Sequence, residues 1–251
     1  MNKKVTKYLH HVIDEKGAGY FILIDPDTRK EKDLRSFVKQ VNSAGVDGIL
    51  VGGSLLLGSD FSRTVKIVKE ESNTPVIIFP GSTQQVSPDA DAILFISLIS
   101  GRNPNYLIGD QVLAAPTIKK INLETIPTGY MLFQCGRTTT AEYMSNTKPL
   151  PPHKPEIAVA HALAAQYMGM EYVYLEAGSG ADHPIPADII QKVSSHISIP
   201  IITGGGIRKP AQAAERVNSG AKFIVTGNLF NAQNDPDLMN KFAEAIHYKG
   251  K

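Results

Sequence analysis

Cysteine is almost missing from this chain of 251 residues, in which Cys135 stands alone. A single cysteine cannot form an internal disulfide, and the sequence offers neither a CxxC pair nor a Cys/His pair that would predict a zinc site. The seven histidines show no ligand spacing either. The composition therefore predicts a protein of a reducing compartment, and we expect a cytoplasmic location.

Neither a strong charge of one sign nor a long apolar run is present. The 26 Lys and Arg residues nearly balance the 24 Asp and Glu residues, and without a basic block the net charge of +2 does not predict a nucleic-acid partner. The longest apolar stretches, near 49–57 and 92–99, fall well short of the ~20 residues that a membrane-spanning helix needs. The basic amino terminus also reaches charged residues before an apolar run of signal-peptide length could form. We therefore expect no transmembrane segment.

Short β-branched runs alternate along the chain with segments of helical periodicity. The runs are apolar throughout, which is typical of parallel strands covered by helices on both faces. Strands are predicted at 20–24, 48–51, 75–79, 92–96, 128–133, 171–176, 199–203 and 222–226. Helices are predicted at 31–44, 60–71, 106–120, 156–168, 187–196, 210–219 and 236–247. We predict an α/β fold of the (β/α)8 TIM barrel type, formed by one domain over residues 1–251, in preference to an open doubly wound sheet.

The third repeat lacks its helix. Between the third and fourth predicted strands, residues 80–90 (PGSTQQVSPDA) contain two prolines and lack both the length and the apolar spacing of a packing helix. The outer ring of helices should therefore have a gap at this position. From the residues alone, the gap is either covered, by another subunit or by the amino-terminal helix, or it is a binding groove.

Glycines follow the last three predicted strands. Strand six continues into Gly178-Ser179-Gly180, strand seven into Gly204-Gly205-Gly206, and strand eight into Gly227-Asn228. Backbone N–H groups with no side chain beside them can approach an anion closely, and the loops after strands seven and eight of such barrels often bind phosphate. A tight turn is the simpler explanation of any one glycine run. Glycines at three successive strand ends predict a phosphate site.

Oxygen side chains follow the first two strands. Asp25 and Asp27 follow strand one, and Ser54 follows strand two. A carboxylate and a hydroxyl at neighbouring strand ends can hold Mg²⁺ when water and substrate phosphates complete its octahedral shell. Asp27 is better explained as a capping or turn residue before the next helix. Asp25 and Ser54 are therefore the predicted magnesium ligands.

A second carboxylate, Glu176, lies at the tip of strand six. Because side chains alternate along a strand, Tyr174 and Glu176 point to one face and Leu175 to the other. A carboxylate beside a phenol can deprotonate and orient a substrate hydroxyl, so Glu176 and Tyr174 are candidate catalytic residues. The alternative is a salt bridge from Glu176 to a neighbouring strand. No predicted strand ends in lysine, which argues against a Schiff-base aldolase.

Taken together, these motifs resemble the geranylgeranylglyceryl phosphate synthase family, in its group of longer chains. The resemblance rests on DPD after strand one, VGGS after strand two, YLEAGSGA after strand six, GGGI after strand seven and TGN after strand eight. It covers essentially the whole chain, including the missing third helix. It implies a prenyltransferase that joins sn-glycerol 1-phosphate to a polyprenyl diphosphate through an ether bond and releases diphosphate. In that family the gap left by the helix holds the prenyl tail.

The resemblance also implies a cofactor, site residues and an assembly. It assigns Mg²⁺ and the diphosphate to Asp25 and Ser54, and it makes Glu176 the expected base. The residues that it assigns to glycerol phosphate are Tyr174, Leu175, Glu176, Ala177, Gly178, Ser179, Gly180, Gly205, Gly206, Gly227 and Asn228. We expect a homo-oligomer, either a dimer or a hexamer.

The prenyl donor and the activity have alternatives. Geranylgeranyl diphosphate is the expected donor and a longer one, such as heptaprenyl diphosphate, is the alternative; Leu98 and Tyr106 are candidates for the side chains that end the groove. An FMN-binding oxidoreductase barrel, which would be coloured, has a similar phosphate site. A non-catalytic barrel that binds a phosphometabolite is the third interpretation.

The loop at 136–152 is long for a barrel and carries Arg137 and a threonine run, so we predict a lid that closes over diphosphate and excludes water. A disordered loop or a subunit contact is the alternative. We expect the substrates to slow limited proteolysis within this segment, measured by mass spectrometry of the fragments. Cleavage at one rate with and without substrates would argue against a lid.

Overall fold

Eight parallel strands close into a barrel in the computed structural model, which describes residues 3–58, 60–230 and 235–248. Each strand pairs with the next along the chain, and the first pairs with the last. The strands are β1 (Gly19–Ile24), β2 (Gly48–Val51), β3 (Val76–Ile78), β4 (Ala92–Leu98), β5 (Glu124–Leu132), β6 (Tyr172–Glu176), β7 (Ile201–Gly204) and β8 (Phe223–Thr226). The predicted (β/α)8 TIM barrel is confirmed, whereas a single domain over all of 1–251 stays a prediction.

Helices surround this barrel. They are α1 (Lys4–Lys16), α2 (Glu31–Ser43), α3 (Phe61–Glu71), α4 (Asp110–Ile121), α5 (Thr140–Ser145), α6 (Pro155–Tyr167), α7 (Ala187–Ser194), α8 (Pro210–Asn218) and α9 (Pro236–Ile246). The sequence did not predict α5, because six residues are too few to show a helical period. Among the described residues, no helix has the length and apolar character needed to cross a membrane.

Strand side chains form two apolar layers, one inside the barrel and one between the barrel and the helices. Inside, the rings of Phe21 and Phe223 stack with their centres 4.6 Å apart. Gly19 and Gly48 leave room for these rings, because a Cβ at either position would press against one of them. Full burial of such a side chain stabilises the fold by about 1.5–3 kcal/mol. The inner layer thus fills the barrel below the strand ends.

Helix α1 closes the amino-terminal end of the barrel. Leu9 and Val12 pack against the inner layer. The buried Glu124 carboxylate accepts hydrogen bonds from the Val5 N–H (2.9 Å) and from the N–H and hydroxyl of Thr6 (both 2.8 Å). It thereby pairs amides that the first helical turn leaves open and meets the positive end of the helix dipole. Because α1 lies at this end, it does not cover the gap of the third repeat.

The absence of the third helix is confirmed. Residues 79–91, all of which the structure describes, contain no helix between β3 and β4. We call them the helix-free segment. They run through turns, and they bury one glutamine, Gln85, to 2% exposure. On the far side of the gap, α4 follows a π-helical turn at Asn105–Gly109.

One strand differs clearly from its prediction. β5 begins at Glu124, well before the predicted start at Thr128. It pairs with β4 from the Ala92–Glu124 contact to the Leu98–Tyr130 contact. Partner strand β4 therefore extends β5 through residues that lack a strong apolar run of their own.

Glu124→Gln should destabilise the fold, because the amide keeps one acceptor oxygen for three donors and loses its charge at the helix terminus. We expect the free energy of unfolding to fall by about 1–2 kcal/mol, measured by urea denaturation. Glu156→Gln is the control, since Glu156 lies in the first turn of α6 with 70% of its side chain exposed. Equal, small losses in both variants would contradict the capping role.

Candidate active site

A cavity of about 480 Å³ lies at the carboxyl ends of the barrel strands. We call it the main cavity. Residues at the ends of all eight strands, or in the loops that follow these strands, line this cavity. The predicted site residues in this wall are Asp25, Ser54, Tyr174, Glu176, Ser179, Gly180, Gly205, Gly206, Gly227 and Asn228. The structure therefore brings the two predicted halves of the site into one cavity.

Three residues assigned to glycerol phosphate lie outside this wall. Leu175 packs in the outer apolar layer, as alternation along β6 requires. The Ala177 N–H donates to the Gly204 carbonyl (3.0 Å), and the Gly178 N–H donates to Glu176 Oε1 (2.6 Å). Both amides are engaged within the protein. Leu175, Ala177 and Gly178 therefore do not line the main cavity, and their assignment to glycerol phosphate stays a prediction.

Glycine loops form one end of the main cavity, and we call the segments 178–181, 204–207 and 227–228 the glycine cradle. Gly205 and Gly206 have φ values of 82° and 69°, which favour glycine. A Cβ at Gly205 would lie 2.6 Å from Glu176 Oε1, so only bare backbone fits there. Within the described part of the chain, neither of these two N–H groups donates to a protein acceptor. Both can therefore donate to a bound anion.

Two side chains join the loops of the cradle. Arg208 donates from Nη1 to the Asp182 carbonyl and from Nη2 to the Ala181 carbonyl, both at 2.8 Å. Asn228 donates from Nδ2 to the Ser179 hydroxyl, also at 2.8 Å. The loops after β6, β7 and β8 are thereby held together. Arg208 also adds a positive charge to the wall, which favours an anion.

Glu176 lies beside the cradle and is only 6% exposed. Its carboxylate accepts a hydrogen bond from the Gly178 N–H (2.6 Å) and interacts with the phenol groups of Tyr174 and Tyr130, and among the described residues it forms no salt bridge. Burial raises the pKa of Glu176 to about 7, and the three donors oppose that rise. Burial also holds the pKa of both tyrosines well above the usual value, so they remain donors. A carboxylate with a pKa near neutrality can accept a proton from a substrate hydroxyl.

Asp25 and Ser54 lie in another part of the wall, which we call the Asp25 end. Burial raises the pKa of the Asp25 carboxyl, whose Oδ1 accepts a hydrogen bond from the Asp27 N–H (3.0 Å). Asp27 lies in a 3-10 turn, Pro26–Thr28, as the turn interpretation predicts, and it does not cap α2, which begins at Glu31. Its Oδ2 instead accepts from the Leu57 N–H (2.6 Å), so it ties the loop after β1 to the loop after β2.

The Asp25 end fits a magnesium ion that arrives with phosphate oxygens. Mg²⁺ takes oxygen ligands, keeps several waters and is often held by one or two carboxylates together with substrate phosphates. A half-buried carboxylate whose pKa is raised by burial is stabilised in its charged form by a nearby cation. In the ranges that the structure describes, no cluster of three or more His, Cys, Asp or Glu residues could hold a metal ion. The donor set therefore suits a shared ion better than one enclosed by protein.

A second, apolar cavity continues from the main cavity into the gap of the third repeat, and we call it the gap groove. Its wall contains Val86 of the helix-free segment and Ala114 and Ile118 of α4. Leu98 and Tyr106 line both cavities, so they lie at the junction and not at the far end of the groove. The single chain therefore has a groove at the gap, and cover of this groove by another subunit stays a prediction.

Comparison with known proteins identifies the family. The profile of the PcrB family matches residues 10–246. The chain belongs to the PcrB family. Within it, the geranylgeranylglyceryl phosphate synthase of Chitinophaga pinensis is 43% identical over 245 residues, 96% of either chain. The enzyme of the same name from Pyrococcus horikoshii is 42% identical over 244 residues, 97% of this chain and 95% of the relative.

A solved structure shows the same architecture as this PcrB-family chain. It is the crystal structure of (S)-3-O-geranylgeranylglyceryl phosphate synthase from Thermoplasma acidophilum in complex with its substrate sn-glycerol-1-phosphate. The two chains are 32% identical and superimpose with a TM-score of 0.90, over 98% of this chain and 99% of the other.

Sequence reasoning missed two wall residues of this PcrB-family protein. Tyr130 shares the inner face of β5 with Leu132, so alternation along that strand could have placed it in the site. Arg208 lies two residues after Gly206, but nothing in the neighbouring sequence indicates that its side chain binds the Ala181 carbonyl. The contact of Tyr130 with Glu176 and the contact of Arg208 with Ala181 each join the ends of two different strands.

The predicted lid segment, 136–152, forms part of the cavity wall. It contains α5, and Thr140 and Met144 line the main cavity. Arg137 donates to the Asp182 carboxylate from Nη2 (2.6 Å) and Nε (2.9 Å). The segment thus contacts the cradle side of the cavity, and its movement as a lid stays a prediction.

Glu176→Gln should change how stability depends on pH. In the folded protein the Glu176 pKa is about 7, above its ordinary value of 4.5, so ionisation opposes folding. Relative to the variant, the wild type should lose stability as the pH rises from 4.5 through 7, by about 3 kcal/mol in all. Urea denaturation at pH 4.5, 6, 7 and 8 measures the difference. With Glu156→Gln as the control, a flat difference for Glu176→Gln would contradict the shifted pKa.

Proposed function

We propose that this protein is a prenyltransferase that makes geranylgeranylglyceryl phosphate. It joins sn-glycerol 1-phosphate to geranylgeranyl diphosphate through an ether bond and releases diphosphate. The observation that carries the proposal is the position of Glu176, a buried carboxylate between the glycine cradle and a cavity that continues into the apolar gap groove. The names of the relatives support the same activity.

The glycerol phosphate is held by the cradle. The N–H groups of Gly205 and Gly206 donate to its phosphate, and Arg208 lies in the same wall. Because Glu176 Oε1 lies beside Gly205, a phosphate on the cradle brings the glycerol carbons to the carboxylate. The substrate named in the Thermoplasma acidophilum structure supports this assignment.

Glu176 is the base for the reacting hydroxyl. The hydroxyl proton moves to Glu176 as the hydroxyl oxygen bonds to the prenyl carbon. The bond from that carbon to the diphosphate oxygen breaks, and its electron pair leaves on the diphosphate. Tyr174 and Tyr130 orient the carboxylate through their hydroxyls and remain protonated throughout. Holding both reactants in one cavity removes much of the entropic barrier to their reaction.

The diphosphate and its metal are assigned to the Asp25 end. Asp25 and Ser54 would hold Mg²⁺ there through oxygen. When bound, Mg²⁺ offsets negative charge on the departing diphosphate. Asp27, which ties the loops after β1 and β2 together, keeps the two proposed ligands in one place.

The prenyl tail lies in the gap groove. Leu98 and Tyr106 contact it near the reacting carbon, and Ala114 and Ile118 lie further along α4. A twenty-carbon donor is the proposed substrate, in keeping with the names of the relatives, and a longer donor is the alternative to test. A dimer or hexamer and a cytoplasmic location stay predictions.

The proposal is tested by supplying labelled sn-glycerol 1-phosphate with geranylgeranyl or heptaprenyl diphosphate, in Mg²⁺ or in EDTA. We expect an ether lipid from the geranylgeranyl donor, formed only with Mg²⁺. Glu176→Gln should lower kcat by about 10²–10⁴-fold, because a positioned base contributes that much. Its affinity for glycerol 1-phosphate, measured by calorimetry, should stay within a few-fold of wild type. In wild type, kcat/KM should rise with pH through about 7.

Glu156→Gln, on the outer surface, is the matched control and should be fully active. Near-normal turnover in Glu176→Gln would rule out its role as the base. If no lipid forms with either donor while glycerol 1-phosphate still binds, the protein is a binding barrel and the proposed activity is wrong.

A further inference from the structure

The helix-free segment places a buried amide against Gly53, the residue before Ser54. Gln85 is 2% exposed, although its segment has no helix or strand to bury it. Its side chain does not belong to the wall of either described cavity. A buried amide that contacts no ligand must find its hydrogen bonds inside the protein.

Those bonds all go to two glycines. Gln85 Nε2 donates to the Gly53 carbonyl (2.7 Å), and Oε1 accepts from the N–H groups of Gly53 (3.3 Å) and Gly81 (3.2 Å). The reversed amide would place its NH2 group against two N–H donors, so one orientation satisfies the contacts. Gln85 thus binds both polar backbone groups of Gly53.

These contacts begin where sheet pairing ends. The β2–β3 ladder stops at Val51 and Ile78, and the Gly52 N–H donates to the Ile24 carbonyl (3.1 Å). The next residue, Gly53, is held by Gln85. The Gln85 side chain therefore supplies to Gly53 the hydrogen bonds that strand pairing supplies to the residues before it.

Close packing also links Gly53 and Gly81 to the proposed metal ligands, Asp25 and Ser54. A Cβ at Gly81 would overlap the Gly53 carbonyl oxygen and would lie 3.0 Å from Ser54 Cα. A Cβ at Gly53 would lie 3.4 Å from Asp25 Oδ1. Gly53, which Gln85 holds, thus lies beside Asp25 and is joined directly to Ser54.

We propose that Gln85 is a positioning residue for the metal and diphosphate half of the site. The proposal rests on the proposed function, because that function places Mg²⁺ and diphosphate at Asp25 and Ser54. Gln85 touches neither substrate and acts through the Gly53–Ser54 peptide. The glycine cradle follows β6, β7 and β8, whereas Gln85 binds residues that follow β2 and β3. The affinity of the cradle for glycerol 1-phosphate should therefore not depend on Gln85.

Gln85→Met tests this role, because methionine has a similar length and leaves Gly53 and Gly81 without their partner. We expect the KM for geranylgeranyl diphosphate and the Mg²⁺ concentration for half-maximal rate to rise about 10-fold or more, as three hydrogen bonds are lost. The KM for glycerol 1-phosphate should stay within about 2-fold.

Gln166→Met is the matched control. Gln166 of α6 accepts hydrogen bonds at Oε1 from the N–H (2.7 Å) and hydroxyl (3.1 Å) of Ser198, which precedes β7 at the far end of the barrel. It should lower the melting temperature without moving either KM. Equal shifts for both substrates in Gln85→Met, no shift at all, or the same shifts in Gln166→Met would each overturn the positioning role.

A binding measurement separates this inference from the proposed function. Calorimetric titration with inorganic diphosphate, with and without Mg²⁺, needs no turnover. If the wild type makes lipid and Gln85→Met binds magnesium diphosphate as tightly as wild type, the function stands and the positioning role is wrong. If the wild type makes no lipid but Gln85→Met weakens only magnesium diphosphate binding, the positioning role stands. If the wild type neither reacts nor binds magnesium diphosphate, both are wrong.

Discussion

Bare backbone packed against a buried carboxylate is the constraint on which this site depends. At the cradle, Gly205 approaches Glu176 so closely that a Cβ would lie 2.6 Å from its Oε1. A side chain at Gly205 would move the carboxylate or occupy the position of a bound anion. At the Asp25 end, the close approach is between Gly81 and Gly53, since a Cβ on Gly81 would overlap the Gly53 carbonyl oxygen. The closed barrel makes this packing possible, because it brings the ends of all eight strands to one rim.

The pKa values of Glu176 and Asp25 are raised by the same cause, but different groups interact with the two carboxylates. Burial raises the pKa of both Glu176 and Asp25. Glu176 interacts only with neutral groups, two phenols and a backbone N–H, so its ionised form remains unfavourable and its pKa stays raised. Asp25 receives a single backbone N–H close to the negative Asp27, which leaves it suited to a cation. A base and a metal ligand can therefore be built from the same functional group on one barrel rim.

The missing third helix links the apolar groove to the polar site. Its absence leaves open the space in which Val86 and Ile118 face each other across the gap groove. The helix-free segment that stands in its place holds the loop after β2 through one glutamine, Gln85, and through the close contact of Gly81 on Gly53. Opening the groove and holding the loop are thus two consequences of one local change.

The sequence by itself determined the barrel, the gap and the rim on which function lies. These follow from local properties: fully apolar strands need cover on both faces, a short stretch with two prolines and no apolar spacing does not form a packing helix, and consecutive glycines expose backbone amides. Only the tertiary structure decided which partners meet. Tyr130 reaches Glu176 from a neighbouring strand, Gln85 reaches Gly53 across 32 residues, and Leu175 and Ala177 are turned or bonded away from the cavity. The pKa of Glu176 belongs to the same class, because desolvation depends on everything packed around a group and no single stretch of sequence contains that information.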